Sequence, residues 1–262
     1  MNVKRIVIKV GTSSLTHSTG KLNIKKLDKI AYVLSDLKNQ GYEVALVSSG
    51  AVGVGVAKLG LMQRPDTVKG KQAAAAVGQC ELMYLYDKFF SQYHQTVAQV
   101  LLSCDFLDDA KRKQNITNTF EALFELQTIP IINENDTVAT EELTFGDNDM
   151  LSAHVATLCK ADLLILMTDT DGLYDKDPKR NADAKRLELV EEFTPEILAM
   201  AGEVTSKVGT GGMRSKVCAA HTATSAGIHT CIVSGDEPDI IYSVLAGERV
   251  GTTFLAKEAE EC

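Results

Sequence analysis

Short β-branched runs alternate with longer stretches of helical spacing along the whole sequence, and this alternation constrains the fold more than any single motif does. Arg5–Val10, Glu43–Val47, Thr96–Leu102, Thr128–Ile132, Leu163–Met167 and His229–Val233 read as strands, mostly unbroken apolar runs as buried parallel strands are. Ile24–Asn39, Val68–Tyr93, Ile116–Gln127, Asp149–Ala161 and Met213–Ala226 have helical length and spacing, with Gly41 and Gly227 placed to stop helices. A β-α-β-α order predicts an α/β fold with a mainly parallel sheet, helices on both faces and right-handed crossovers. No repeat, low-complexity tract or linker interrupts the pattern, so a single domain over residues 1–262 with two functional halves is expected. The stretch Asp169–Glu188, with Gly172, Pro178 and many charges, reads as an exposed loop or small hairpin.

Composition narrows the function classes. A chain of this length can bury roughly 70–75% of its unfolded surface without disulfides or a structural metal. Hydrophobic residues at 45% and charged residues at 24% exclude a disordered chain, a collagen-like repeat and a polytopic membrane protein. With 27 Lys and Arg against 35 Asp and Glu, the net charge is −8, which argues against a nucleic-acid partner held through phosphate neutralisation. A bound anion must instead meet a few cations gathered locally. The six cysteines are scattered, with no C-x-x-C, and read as reduced thiols. No run approaches the ~20 apolar residues of a membrane span, and the start does not read as a signal peptide, so a cytoplasmic chain with no membrane partner is expected.

In such sheets ligands bind where strands end and helices begin, so the residues leaving each strand carry the functional reading. The first strand runs into Lys9-Val10-Gly11-Thr12-Ser13-Ser14, a cation followed by a turn able to aim N–H groups at a phosphate. An edge lysine snorkelling past an apolar strand is the plain alternative. The second strand ends in Ser48-Ser49-Gly50-Ala51-Val52-Gly53-Val54-Gly55, a small-residue turn suited to a carboxylate or phosphate, or simply to packing. The Rossmann fingerprint fails there for want of a third glycine, and Walker A fails because Gln72 follows Gly70-Lys71.

Two dense clusters of acids and amides follow, Asn133-Glu134-Asn135-Asp136 and Gly146-Asp147-Asn148-Asp149. Helix capping explains Asp147 about as well as function does. The mixture suits an amino-acid substrate, whose ammonium wants a carboxylate and whose carboxylate wants amide donors, or Mg²⁺ on one or two carboxylates. Thr168-Asp169-Thr170-Asp171-Gly172 lacks the closing glutamate of a calcium loop, since Arg180 stands there. Val208-Gly209-Thr210-Gly211-Gly212-Met213-Arg214-Ser215-Lys216 makes a backbone anion nest with a lysine one turn into the following helix. Lys9 and Lys216, from opposite ends of the chain with carboxylates between, point to polyphosphate. The five histidines form no metal-binding spacing and read as ordinary core or surface residues.

These segments, with Lys71-Gln72-Ala73-Ala74-Ala75, Val77-Gly78-Gln79, Val100-Leu101-Leu102 and Gly172-Leu173-Tyr174, resemble the amino acid kinase family from Lys4 to about Phe254. The Asn-Glu-Asn-Asp and Gly-Asp-Asn-Asp pair resembles the branch acting on glutamate rather than on aspartate, N-acetylglutamate, carbamate or UMP. The resemblance implies a three-layer αβα sandwich, with glutamate over the N-terminal half and ATP over the C-terminal half. It implies ATP-dependent phosphorylation of the γ-carboxylate of L-glutamate, as in proline synthesis. Lys9 and Lys216 would stabilise the transferring phosphoryl group, with Asp149 and Asp147 organising them. Ser49, Gly50, Asp136 and Asn148 would hold glutamate. Lys9, Gly11, Thr168, Asp169, Tyr174, Thr210, Gly211, Gly212, Met213, Arg214, Ser215 and Lys216 would hold ATP. Mg²⁺ would be held mainly by ATP and water rather than by protein ligands. Ser215 stands where the family usually has threonine, and keeps the hydroxyl. The chain stops at Cys262, so the C-terminal PUA domain of many members is not expected. Assembly into dimers or tetramers, L-proline as feedback inhibitor and contact with the next enzyme of the pathway are further implications. A family kinase with another acid substrate, and a catalytically silent amino-acid or nucleotide sensor on the same fold, are the rival readings.

Overall fold

A computed structural model describes residues 3–17, 19–138, 148–178, 180–202 and 212–257. The chain opens with β1 (Arg5–Val10), α1 (Thr12–Leu15), α2 (Ile24–Asn39), β2 (Glu43–Ser48), α3 (Ala51–Lys58) and α4 (Val68–Gln92). It continues through β3 (Val97–Leu102), a 3₁₀ turn at Cys104–Asp108, α5 (Ala110–Glu125), β4 (Ile129–Glu134), α6 (Asn148–Leu158) and β5 (Leu163–Thr168). The last third holds β6 (Leu189–Val190), α7 (Pro195–Met200), α8 (Met213–Ser225), β7 (His229–Ser234), α9 (Ile240–Leu245) and β8 (Thr252–Phe254). Two compact units emerge: Val10–Phe145, and Met1–Lys9 together with Gly146–Cys262.

Within Val10–Phe145 the strand order is β3, β4, β2, all parallel. Helix α2 starts because Asn23 accepts a hydrogen bond from Lys26 N at 3.1 Å, and it ends before Gly41, whose φ of +97° suits glycine. Its buried Leu27, Ile30, Leu34 and Leu37 repeat at helical spacing along one face. Helix α5 begins at Ala110 rather than at Ile116, because Asp109 accepts from Lys111 N at 2.9 Å and Arg112 N at 3.0 Å. The cap, not the first apolar residue, sets the start.

The Ser48–Gly55 segment is a turn only at Ser49 and Gly50; from Ala51 onward it is helix α3. Gly50 makes the turn with φ of +102°. One glycine inside α3, Gly55, and one inside α4, Gly78, have a packing cause. A Cβ on Gly55 would stand 1.8 Å from Ala74 O, and one on Gly78 would stand 1.8 Å from Ala51 O. Only glycine lets α3 and α4 approach so closely.

In the other unit the strand order is β1, β5, β7, β8, β6. β5 and β7 are parallel, while β7 and β8 are antiparallel, so the sheet is mostly rather than wholly parallel. The core strands β1 and β5 are buried almost throughout, as their unbroken apolar runs predict. Between β5 and β6 a small hairpin closes through Leu187 N to Leu173 O at 2.8 Å and Asp175 N to Lys185 O at 3.0 Å. Helix α6 packs on α8, and this contact, together with the end of β1, builds the site. Among the described residues no helix is long and apolar enough to cross a membrane.

Candidate active site

Three charged side chains meet in the interior of the Met1–Lys9 and Gly146–Cys262 unit. Lys9 leaves β1 at its penultimate residue, Asp149 lies in the first turn of α6, and Lys216 lies in the first turn of α8. Lys9 Nζ stands 2.5 Å from Asp149 Oδ1, and Lys216 Nζ stands 3.0 Å from Asp149 Oδ2. Relative exposure is 3% for Lys9, 0% for Asp149 and 6% for Lys216. Charged residues that deep are almost never found unless paired, and here one carboxylate serves two cations. The three formal charges sum to one positive, so the cluster is an anion-seeking centre in a low-dielectric setting.

Local structure explains each placement. A carboxylate in the first turn of α6 sits at the positive end of that helix and is favoured there. A lysine in the first turn of α8 has the opposite sign to the one the helix dipole favours. That local mismatch marks Lys216 as a residue kept for something other than helix stability. The Ser215 hydroxyl lies 2.7 Å from Asp149 Oδ2 and 2.8 Å from Gly212 O, and its single proton serves one of these acceptors at a time. It ties the start of α8 to the carboxylate, a contact for which the sequence carries no signal beyond the neighbouring Gly212 and Lys216.

The other expected ATP residues fall as follows. Gly212 precedes α8 in an extended conformation, with open space where a Cβ would stand. Met213 and Ser215 are half-buried, and Arg214 is exposed. Thr168 closes β5, is buried, and its hydroxyl donates to the exposed Asp169 at 3.1 Å. The Tyr174 hydroxyl donates to Asp171 Oδ1 at 2.8 Å, and Arg186 holds the other Asp171 oxygen at 3.2 Å. Asn148, expected on the substrate, is the buried first residue of α6 beside Asp149. Asp147, Thr210 and Gly211 lie outside the described residues.

The remaining expected residues belong to Val10–Phe145. Gly11 precedes α1, Ser49 donates its N–H to Val10 O at 3.2 Å, and Gly50 turns the chain into α3. Asp136 lies just beyond β4, half-buried. Burial holds its carboxyl above the ordinary value near 3.8, and the charge of Arg64 pulls it the other way.

Comparison with known proteins adds to this geometry. Residues 4–234 match the Amino acid kinase family. A glutamate 5-kinase of Clostridium perfringens is 52% identical over 261 residues, which is 98% of this chain and 97% of that protein. A glutamate 5-kinase of Listeria innocua is 50% identical over 263 residues, covering 99% of this chain and 95% of that protein. Among solved structures, carbamate kinase from Giardia lamblia bound to AMP-PNP superposes with a TM-score of 0.68 at 17% identity, covering 98% of this chain and 99% of that one. At so low an identity the likeness speaks for the fold alone. Sequence match and fold agree: the chain belongs to the amino acid kinase family.

Proposed function

We propose that this chain transfers the γ-phosphoryl group of ATP to the γ-carboxylate of L-glutamate, giving L-glutamyl 5-phosphate and ADP. The observation that carries the substrate is identity at 52% of positions with a glutamate 5-kinase over nearly the full length of both chains. The Lys9, Asp149 and Lys216 centre supports the reaction type.

A carboxylate is already ionised at neutral pH, so the reaction needs no general base. What it needs is in-line alignment of a carboxylate oxygen with the γ-phosphorus, and positive charge where the moving phosphoryl oxygens and the departing ADP oxygen develop negative charge. Lys9 and Lys216 are the cations for that task. Asp149 holds both ammonium groups in place; each of its oxygens faces a lysine, so it is a poor candidate for a metal ligand. Magnesium fits this donor set as part of its ATP complex, with oxygen ligands mainly from triphosphate and water, where it supplies further charge neutralisation. Thr168, Asp169, Gly11, Tyr174, the turn at Gly212 and the start of α8 are the nucleotide side of the proposal, with Thr210 and Gly211. Ser49, Gly50, Asp136 and Asn148 are the amino-acid side, with Asp136 for the ammonium. Asp147 joins Asp149 in organising the centre.

Cytoplasmic location, self-assembly into dimers or tetramers, feedback by L-proline and hand-over of the acyl phosphate to the next enzyme of proline synthesis belong to the same proposal and rest on the family resemblance. The test is Mg²⁺-dependent ATP turnover with hydroxylamine as trap, comparing L-glutamate with aspartate, N-acetylglutamate and UMP. Hydroxamate from glutamate alone is the expected result. Turnover on a different acid would move the chain to another branch of the family, and nucleotide binding without turnover on any of them would make it a sensor.

A further inference from the structure

Helix α4 carries none of the residues to which the resemblance gives a ligand, yet it reaches both strand ends that bear them in Val10–Phe145. At the end of β2 the Tyr86 hydroxyl lies 2.8 Å from Ser48 Oγ, and Ser48 Oγ donates to Ser49 O at 3.3 Å. A serine hydroxyl has one proton, so with that proton on Ser49 O it is Tyr86 that donates to Ser48. Burial pushes the Tyr86 phenol far above its ordinary value and keeps it a donor. At the end of β4 the buried Asn133 donates Nδ2 to Gln79 Oε1 at 2.8 Å, while its Oδ1 accepts from Glu134 N at 2.9 Å.

Gln79 and Tyr86 are two helical turns apart and so lie on one face of α4. Gly78, next to Gln79, seats the helix against Ala51 at the start of α3. One helix face therefore braces the backbone of Ser49 through Ser48, and the turn leading to Asp136 through Asn133. Loops that hold a ligand need such support from a rigid element, because a looser side chain costs affinity without touching the ligand itself.

We propose that Gln79 and Tyr86 are positioning residues for the amino-acid acceptor, acting through Asn133 and Ser48. The proposal rests on the reading of Ser49 and Asp136 as glutamate-binding residues. Neither touches nucleotide in it, so their loss weakens glutamate and leaves ATP alone.

The test measures glutamate and ATP KM, and kcat, for Gln79→Met, Tyr86→Phe, Asn133→Ser and the Gln79→Met/Asn133→Ser pair, with Asp136→Asn as reference. Loss of a neutral hydrogen bond predicts a glutamate KM raised about five- to tenfold in Gln79→Met, and by a smaller factor in Tyr86→Phe. ATP KM and kcat stay within about twofold of the parent. Because Gln79 acts through Asn133, the double variant is no worse than Asn133→Ser alone. An unchanged glutamate KM in Gln79→Met, equal rises in both KM values, or additive losses in the pair overturn the proposal. If Asp136→Asn also leaves glutamate KM unchanged, the acceptor-site reading itself fails; if it raises glutamate KM while Gln79→Met does not, only the role of α4 fails.

Discussion

Lys9 and Lys216, separated by most of the chain, grip opposite oxygens of one carboxylate, at 2.5 Å and 3.0 Å from Asp149. Two ammonium groups so placed repel each other and have left water, so the carboxylate between them is what makes the pair tolerable. In the proposed reaction the two lysines serve an anion that arrives with ATP. Lys9→Ala and Lys216→Ala are each expected to lower kcat by ~10²–10³, the loss seen when one preorganised donor is removed from a developing charge. Steady-state kinetics at saturating substrates checks this. A parent-like kcat in either variant, with the fold intact, would remove that lysine from phosphoryl transfer.

Asp149→Asn strips the compensating charge and leaves two buried ammonium groups facing a neutral amide. Breaking a buried pair in this way typically costs about 3–5 kcal/mol. Chemical denaturation should therefore show a large stability loss together with loss of turnover. Adding Lys9→Met to Asp149→Asn should restore much of the stability and none of the activity, which separates the structural role of the carboxylate from the chemical role of the lysines.

How far the sequence foretold this centre differs from residue to residue. Lys9 and Lys216 were legible because each is a cation at the end of a strand or the start of a helix, where ligands bind. From residue chemistry alone Asp149 was one acid in a cluster, because local sequence does not tell a carboxylate that caps a helix from one that holds two lysines; it was the family resemblance that set it with Lys9 and Lys216. The Ser215 contact, and the Tyr86 and Gln79 contacts of α4, were not legible: a tyrosine on a buried helix face reads as core, and a hydrogen bond across 38 or 54 residues leaves no local pattern. The main strands were legible from continuous apolar runs. The two-residue β6, the three-residue β8 and the six-residue α7 and α9 are too short to show any period.

Asp136 carries a pH prediction of definite sign. Its carboxyl is raised in the folded chain by burial. Above the ordinary value near 3.8 the unfolded chain has released that proton, whereas the folded chain holds it more tightly, so the group costs stability at neutral pH and costs none below that value. Asp136→Asn should raise the thermal midpoint of the ligand-free protein at pH 7, with the gain fading as pH falls toward 3. The same variant should raise glutamate KM about tenfold, a trade of function for stability. A lowered midpoint at pH 7 would contradict the burial argument.

The glycines of the α3 and α4 contact give a paired test by unfolding. Gly78→Ala forces a methyl group to within 1.8 Å of Ala51 O and should cost about 3 kcal/mol or more. Gly53→Ala, within α3, meets nothing closer than Thr12 Cγ2 at 3.8 Å and should gain up to about 1 kcal/mol from better helix propensity. Equal effects from the two would mean that the close approach of the helices is not what requires glycine.

The most direct measurement follows one atom. L-Glutamate labelled with ¹⁸O in its side-chain carboxylate is turned over with Mg·ATP in the presence of hydroxylamine, and the released phosphate is analysed by mass. Attack of a carboxylate oxygen on the γ-phosphorus expels ADP and leaves that oxygen bridging carbon and phosphorus. Hydroxylamine then attacks the acyl carbon, forming the hydroxamate and releasing phosphate with the bridging oxygen. The predicted result is one ¹⁸O in each phosphate and one hydroxamate for each ADP. Phosphate free of ¹⁸O, with ADP formed all the same, would mean that water rather than glutamate takes the phosphoryl group, and would contradict the proposed reaction.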